Sequence, residues 1–284
     1  MKVLSFLNNK GGVGKTASVS TLSHLLAAKY KKRVLIVDLD PQGNVSNLFG
    51  QMDIIALIKA RRGEPIETVQ YSVGDLLVNM DMDVHMAIQK TNYENLDIVP
   101  SLPTLSAIEE QLKADIKTPQ QFRLEHHLRK LEGEYDYCLI DCSPSLSILN
   151  VNALVASNEV YIPTLADADS LFGIELTKTE LIDEVRKYSP KLKIGGIYFT
   201  KYEKRLNVSK YAKEILGIAY EKNFLPISIN KNSAIQNCTH EHKPLGDYDR
   251  NMKLKATRDY DELAGYITAP NRKIYLRTLE RKEA

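Results

Sequence analysis

The sequence predicts an α/β protein organised as a single doubly wound, mostly parallel sheet flanked by helices. Two observations carry that expectation. Short apolar runs, Val3 to Leu7, Val34 to Val37 and Tyr135 to Asp141, read as buried parallel strands, and helical patterns alternate with them throughout the chain. The strand ends also carry a glycine-rich turn and acids, which is where parallel sheets place their ligands.

Composition allows this and excludes other classes. The chain has 284 residues, 43% apolar and 26% charged, with no repeat and no Gly/Ser linker. One domain over 1–284 is expected, closed by a helical segment over 251–284. No apolar run approaches the ~20 residues that span a bilayer. The first strand begins at once, so neither a signal peptide nor an N-terminal helix-turn-helix extension is expected. Cys138, Cys142 and Cys238 lack paired spacing and read as reduced, buried thiols of a cytoplasmic protein, with a metal or iron–sulfur site as the minor reading. Net charge is +2, divided as 16 basic against 18 acidic residues over 1–150 and 22 against 18 over 151–284.

The first element justifies the rest. Val3 to Leu7 leads into Asn9-Lys10-Gly11-Gly12-Val13-Gly14-Lys15-Thr16, and a helical pattern follows to about Tyr30. Glycines let backbone N–H groups converge without a Cβ in the way. A helix N-terminus adds its dipole and its unpaired N–H groups, so the turn favours an anion. Lys15 would then reach the β- and γ-phosphates of a nucleotide, and the Thr16 hydroxyl would hold Mg²⁺. The ordinary motif has glycine where this chain has Asn9, and a second lysine, Lys10, stands at the mouth of the turn.

Lys-Gly-Gly-Val-Gly-Lys-Thr resembles the deviant Walker A box of the ParA/MinD/Soj ATPases, a class of P-loop NTPases. The resemblance implies ATP and Mg²⁺ as cofactors, held by Lys10, Gly11, Gly12, Val13, Gly14, Lys15, Thr16 and Ala17. It also implies a nucleotide-sandwich homodimer in which Lys10 crosses to the ATP of the other subunit. Relatives often carry a second threonine at Ala17, so that hydroxyl is lost while the backbone N–H remains.

The second strand ends in Asp38-Leu39-Asp40-Pro41-Gln42-Gly43-Asn44, which matches the second box of the ParA branch. The resemblance makes Asp40 the carboxylate that positions the attacking water and puts Asp38 nearer the Mg²⁺ shell. Residues 52–70 resemble a modest insertion, and Arg61 to Pro65 a surface turn. Short helices are expected around Ser72 to Leu77 and Val84 to Ile88, and a strand at Asn95 to Pro100. Helical patterns follow over 104–115 and 119–132, the second started by Pro119. His126 and His127 are adjacent, point ~100° apart on a helix, and read as surface or partly buried side chains.

Tyr135 to Asp141 reads as the Walker B strand, whose terminal Asp141 holds Mg²⁺ through water. In Cys142-Ser143-Pro144-Ser145-Leu146, Ser143 replaces a family proline and is expected to loosen the turn. Asn158 to Pro163 is another strand, and Ser170 to about Tyr188 a long amphipathic helix. Lys193 to Thr200 forms a strand ending in Lys201-Tyr202, and Asn223 to Pro226 a further strand leading to the loop over the base. Lys201 and Pro226 are the residues taken for adenine contacts.

The resemblance further implies DNA binding without sequence preference, through basic patches of the carboxyl-terminal half. It also implies a ParB-like centromere-binding partner that stimulates hydrolysis, and a cytoplasmic, nucleoid-associated protein. Lys204, Arg205, Lys210 and Lys231 are the DNA candidates, and the alternative is that they are solubilising surface charges. Three rivals stand beside this reading. A MinD-like membrane-associated ATPase needs a bulky apolar stripe that Lys273 to Arg281 lacks, so no membrane partner is expected. An iron–sulfur protein needs interface cysteines, and a nucleotide-locked scaffold is disfavoured by Asp40.

Overall fold

The computed structural model describes residues 1–50, 59, 62, 70–115 and 118–283. The expected insertion over 52–70 and the Arg61 to Pro65 turn lie, apart from Lys59, Arg62 and Gln70, outside the described residues. Among the described residues, eight strands form one sheet: β1 Lys2–Phe6, β2 Val34–Asp38, β3 Gln89–Lys90, β4 Leu96–Val99, β5 Tyr137–Asp141, β6 Glu159–Thr164, β7 Lys193–Tyr202 and β8 Phe224–Asn230. Their order is β3-β4-β2-β5-β1-β6-β7-β8, parallel throughout except for the β3–β4 pair.

Side chains alternate along each strand, so the sheet separates two cores. Leu35 and Val37 of β2 face one, with Val73, Leu105, Leu124, Leu149, Ile174 and Leu216 from helices. Those helices are α3 Val73–Val78, α4 Leu105–Ala114, α5 Arg123–Arg129, α6 Ile148–Ala156, α7 Ala168–Thr177 and α9 Asn207–Ala219. Val34 and Ile36 face the other, with Leu22, Leu26, Val45, Leu245, Tyr260 and Leu263. That layer holds α1 Lys15–Ala28, α2 Asn44–Leu48, α10 Ala234–His240, α11 Leu245–Tyr248, α12 Lys255–Thr268 and α13 Arg272–Glu283. The doubly wound expectation holds because strands buried on both faces require a helical layer on each side.

Several boundaries differ from the sequence expectation. The helix expected from Ser170 to Tyr188 runs without interruption from Ala168 to Arg186, with a π-helical turn, Lys178–Ile182, between α7 and α8 Asp183–Arg186. Pro119 precedes a 3₁₀ turn, Gln120–Phe122, instead of opening an α-helix directly. Of the two histidines, His126 is exposed and His127 fully buried. All three cysteines are free and buried, and the described residues contain no group of three metal-ligating side chains. Among the described residues no helix is long and apolar enough to cross a membrane.

The Gly195-Gly196 pair in β7 has a packing reason. A Cβ on Gly195 would meet the Tyr161 ring at 2.6 Å, and one on Gly196 would meet Leu225 Cγ at 2.7 Å. Glycine therefore makes room for one neighbour on each face of the sheet, next to a register shift at Val160/Tyr161. Gly195→Ala should destabilise the fold by about 1–3 kcal/mol through overpacking. Gly217→Ala, in α9 where nothing lies within 4 Å, should instead stabilise by roughly 0.5–1 kcal/mol. Chemical denaturation of the two variants checks both signs.

Candidate nucleotide-binding site

The carboxyl ends of β1, β2 and β5 meet at one place. Phe6 pairs with Asp141, and Asp38 pairs with Asp141 on the other side. The glycine-rich turn leaves β1 and enters α1 through Gly14, whose φ of 86° lies in the left-handed region, as does the 73° of Gly12. Three other elements brace this loop, two through side chains and β6 through a backbone carbonyl. Thr200 of β7 donates its hydroxyl to Val13 O at 2.7 Å, Lys201 Nζ donates to Gly12 O at 2.9 Å, and Asn9 N donates to Thr177 Oγ1 of α7 at 3.0 Å. Asn8 Nδ2 donates to Pro163 O of β6 at 2.9 Å.

The two lysines of the loop are held differently. Lys15 is buried and folds under the loop, donating to Asn8 O at 3.1 Å and Lys10 O at 3.2 Å. Burial pushes its pKa below the usual lysine value, with Asp141 the strongest opposing charge. A bound anion would restore that lost solvation. Lys10 sits on the open rim, its ammonium 2.8 Å from Asp167 Oδ1 and its side chain 28% exposed. The same carboxylate oxygen caps α7 by accepting from Ser170 N at 2.7 Å.

Asp141 is fully buried, and burial raises its pKa well above the usual carboxylate range. Oδ2 accepts the Thr16 hydroxyl at 2.8 Å, while Oδ1 is buried without a hydrogen-bond partner. A buried oxygen left unpaired beside a threonine hydroxyl is a donor set suited to a hydrated divalent cation. The Mg²⁺ expectation for Thr16 and Asp141 therefore fits the residues present.

Asp38 is fully buried and both of its oxygens accept hydrogen bonds. Oδ2 accepts both Ser46 N at 2.9 Å and the Ser46 hydroxyl at 2.7 Å, and Oδ1 accepts Asp40 N at 3.1 Å. Burial pushes its pKa up to about 6 despite those bonds. With both oxygens engaged, Asp38 shapes the turn that presents Asp40. Asp40 faces the cleft, its Oδ1 accepting from Gln42 N at 3.0 Å.

Gly11, Gly12, Gly14, Lys15, Thr16 and Asp40 line a cleft of about 580 Å³, while Lys10, Val13, Asp38 and Asp141 lie outside its lining. Ala17 and Lys201 also line it, as expected, but Pro226 does not. β8 continues four residues beyond Pro226 to Asn230, a course that an edge strand allows to proline. Pro226 lies instead in a small hollow with Lys204, Lys213 and Lys255. The far wall of the cleft is built by Ile229, Ile235, Gln236 and Tyr260. No local signal marked these residues, because β8, α10 and α12 reach the cleft only in the folded chain. Tyr260 approaches Ser18 of α1 at 3.3 Å, and Tyr198 donates to the same hydroxyl at 2.7 Å.

The turn after Asp141 is well tied, contrary to the loosening expected from Ser143. Asn150 Nδ2 donates to Ser143 O at 2.9 Å and to Ser145 O at 2.6 Å, and the two serine hydroxyls lie 2.8 Å apart. The DNA candidates Lys204, Arg205 and Lys210 are exposed, and Lys231 pairs with Glu203 at 2.9 Å.

Comparison with known proteins agrees with this geometry. A family model described as an AAA domain matches residues 1–194. The chain is 33% identical to the chromosome partitioning protein ParA of Myxococcus xanthus, over 91% of this chain and 85% of that one. It is also 33% identical to the sporulation initiation inhibitor protein Soj of Bacillus subtilis, over 94% and 98%. Among solved structures, a Mycobacterium smegmatis protein described as cobyrinic acid a,c-diamide synthase, with a bound ATP analogue and magnesium, superposes with a TM-score of 0.74. That match has 26% identity and covers 96% of this chain and 98% of the other. A loop with two lysines, a paired-acid floor and relatives along nearly the whole chain lead to one conclusion: this chain belongs to the ParA/Soj family of deviant Walker ATPases.

Proposed function

We propose that the chain is a single-domain, ATP-dependent DNA-partitioning ATPase. It would form an ATP-sandwich homodimer, bind DNA without sequence preference, and hydrolyse ATP faster when a centromere-bound ParB-like partner engages it. The observation that carries this reading is the position of Lys10. It stands on the rim of the cleft, outside the ring formed by Lys15, Thr16, Asp40 and Asp141, and its only ion pair among the described residues is with Asp167.

Each residue has a part in that cycle. Glycine N–H groups of the loop and Lys15 hold the phosphates and draw negative charge into a dry site. Thr16 and Asp141 would hold Mg²⁺, which when bound neutralises charge between the β- and γ-phosphates. Asp40, carried on the turn that Asp38 and Ser46 fix, orients the attacking water. Lys10 would leave Asp167 and supply its charge to the opposite subunit, an electrostatic contribution made in trans. Loss of the γ-phosphate would remove the shared contact, so the dimer loosens and DNA is released.

Two modest basic surfaces joined in a dimer bind a polyanion better than one alone, which links the nucleotide state to DNA affinity. The exposed Lys204, Arg205 and Lys210 support this part of the reading, while Lys231 is already paired. A membrane-associated cycle is less well supported, because Tyr275, Leu276 and Leu279 of α13 pack against the body of the protein. A cytoplasmic, nucleoid-associated location follows from the DNA reading.

Lys10→Ala should abolish ATP-dependent dimerisation in analytical ultracentrifugation. Asp40→Ala should dimerise with ATP yet turn over at least about 100-fold more slowly, in line with loss of a positioned general base. Wild-type behaviour of Lys10→Ala in both assays would overturn the cross-subunit role. Asp167→Ser keeps an N-cap residue but frees Lys10, so dimerisation should need several-fold less ATP; an unchanged requirement would show that the ion pair does not restrain Lys10. Reversing charge at Lys204, Arg205 and Lys210 should weaken DNA retention in a low-salt gel shift while basal hydrolysis persists.

A further inference from the structure

We infer that Lys201 is a positioning residue for the nucleotide's phosphates: its hold on the Gly12 carbonyl turns the Val13 N–H into the phosphate-binding loop. A trans peptide is planar, with its carbonyl and its N–H pointing in opposite directions. A group that grips a carbonyl from outside the loop therefore aims the next N–H inward. Lys201 Nζ donates to Gly12 O at 2.9 Å and so fixes the peptide between Gly12 and Val13. Thr200 donates to Val13 O at 2.7 Å and fixes the next peptide, which carries the Gly14 N–H. Among the described residues, the Val13 and Gly14 N–H groups form no hydrogen bond with the protein. Two neighbouring donors are thus oriented and left open, as an anion requires.

The backbone at Lys201 departs from strand geometry to make this contact. Consecutive side chains of a strand leave on opposite faces, so a regular strand would not send both Thr200 and Lys201 to one loop. Lys201 has a φ of 49°, in the left-handed region, and the pairing of β7 with β8 shifts register between Phe199 and Tyr202. Irregularities of this kind re-aim side chains beside active sites. The conformation is uphill for any residue with a Cβ. Stability does not account for it, because Lys201 is exposed and one hydrogen bond at the surface contributes little to folding. Strain kept at the rim of a ligand cleft points instead to a use in binding.

This role differs from a contact to the adenine, which the sequence suggested for the same residue. An adenine contact would act on the base, whereas the peptide that Lys201 holds acts on the phosphates. It also differs from a direct charge on the phosphates, which salt would screen at this exposed position. The inference rests on nucleotide binding at the cleft and is independent of dimerisation and DNA.

The test compares the full chain with Lys201→Met and Lys201→Gly. Both variants lose the donor, but only glycine relieves the left-handed strain. Pyrophosphate and adenosine serve as separate probes of the two ends of the cleft, with affinities measured by calorimetry. Pyrophosphate should bind about five- to tenfold more weakly to both variants, at low and at high salt, while adenosine affinity stays the same. Lys201→Gly should nevertheless melt about 2 °C above Lys201→Met, so affinity and Tm part company. In amide NMR spectra, pyrophosphate should move the Val13 N–H resonance of the wild type and leave it nearly in place in Lys201→Met. Unchanged pyrophosphate affinity in the variants would overturn the inference, as would a loss that tracks Tm or one that disappears at high salt. An equal loss for adenosine would also overturn it and return Lys201 to the base. A wild-type chain that binds neither pyrophosphate nor ATP would defeat the nucleotide reading itself and this inference with it.

Discussion

Two carboxylates buried side by side at the end of the central strands are the constraint on which the rest of the structure depends. Asp38 and Asp141 are in register on β2 and β5, and neither is exposed to solvent. Burying like charges is costly unless each is neutralised or hydrogen-bonded. The protein answers the two acids unequally. Asp38 receives two donors from Ser46 and one from Asp40, which turns its charge into a scaffold for the following loop. Asp141 receives only Thr16, with Lys15 nearby, and keeps one oxygen unpaired. The asymmetry leaves one buried carboxylate oxygen, Oδ1 of Asp141, without a protein donor at the foot of the phosphate-binding turn.

The loop above these acids is rigid for reasons that lie outside it. β7 contributes Thr200 and Lys201, α7 contributes Thr177, and β6 contributes Pro163 O as the acceptor for Asn8. Such bracing fixes the N–H groups before an anion arrives, which is the condition for electrostatic preorganisation. Lys10 is the exception. Its backbone is fixed by Asn8 Oδ1, but its ammonium is restrained by one partly exposed ion pair, an interaction worth little by itself. The chain therefore combines a fixed cradle with one easily released cation, and that cation is coupled to α7 through the N-cap that Asp167 provides.

Much of this was legible along the chain because the relevant signals are local. Val34 to Val37 reads as a strand since this short, β-branched-rich apolar run between Arg33 and Asp38 is too brief for a buried helix. The glycine-rich turn declares itself because backbone conformation at Gly12 and Gly14 requires the missing Cβ. The positions of Asp38 and Asp141 at strand ends were legible because those ends are marked by the change from apolar to acidic residues. Pro226 was misplaced because a proline normally ends a strand, and no local feature says that β8 is an edge where its missing N–H does no harm. The long helix from Ala168 to Arg186 was legible, but its π-helical turn at Lys178 to Ile182 was not, since such a turn keeps an apolar pattern close to that of an ordinary helix.

The sequence by itself determined the layer order, the phosphate-binding turn and the identity of the acids below it, because periodicity, glycine content and strand-end chemistry act within a few residues. Only the tertiary structure decided which acid is spent on scaffolding and which keeps a free oxygen, which side chains wall the far side of the cleft, and which side chains hold the carbonyls of the loop. Those outcomes depend on groups more than a hundred residues apart being brought into contact, as with Thr16 and Asp141 or Ser18 and Tyr260. Spacing along the chain carries no record of such contacts, since the energy that selects them is that of burial and pairing in three dimensions.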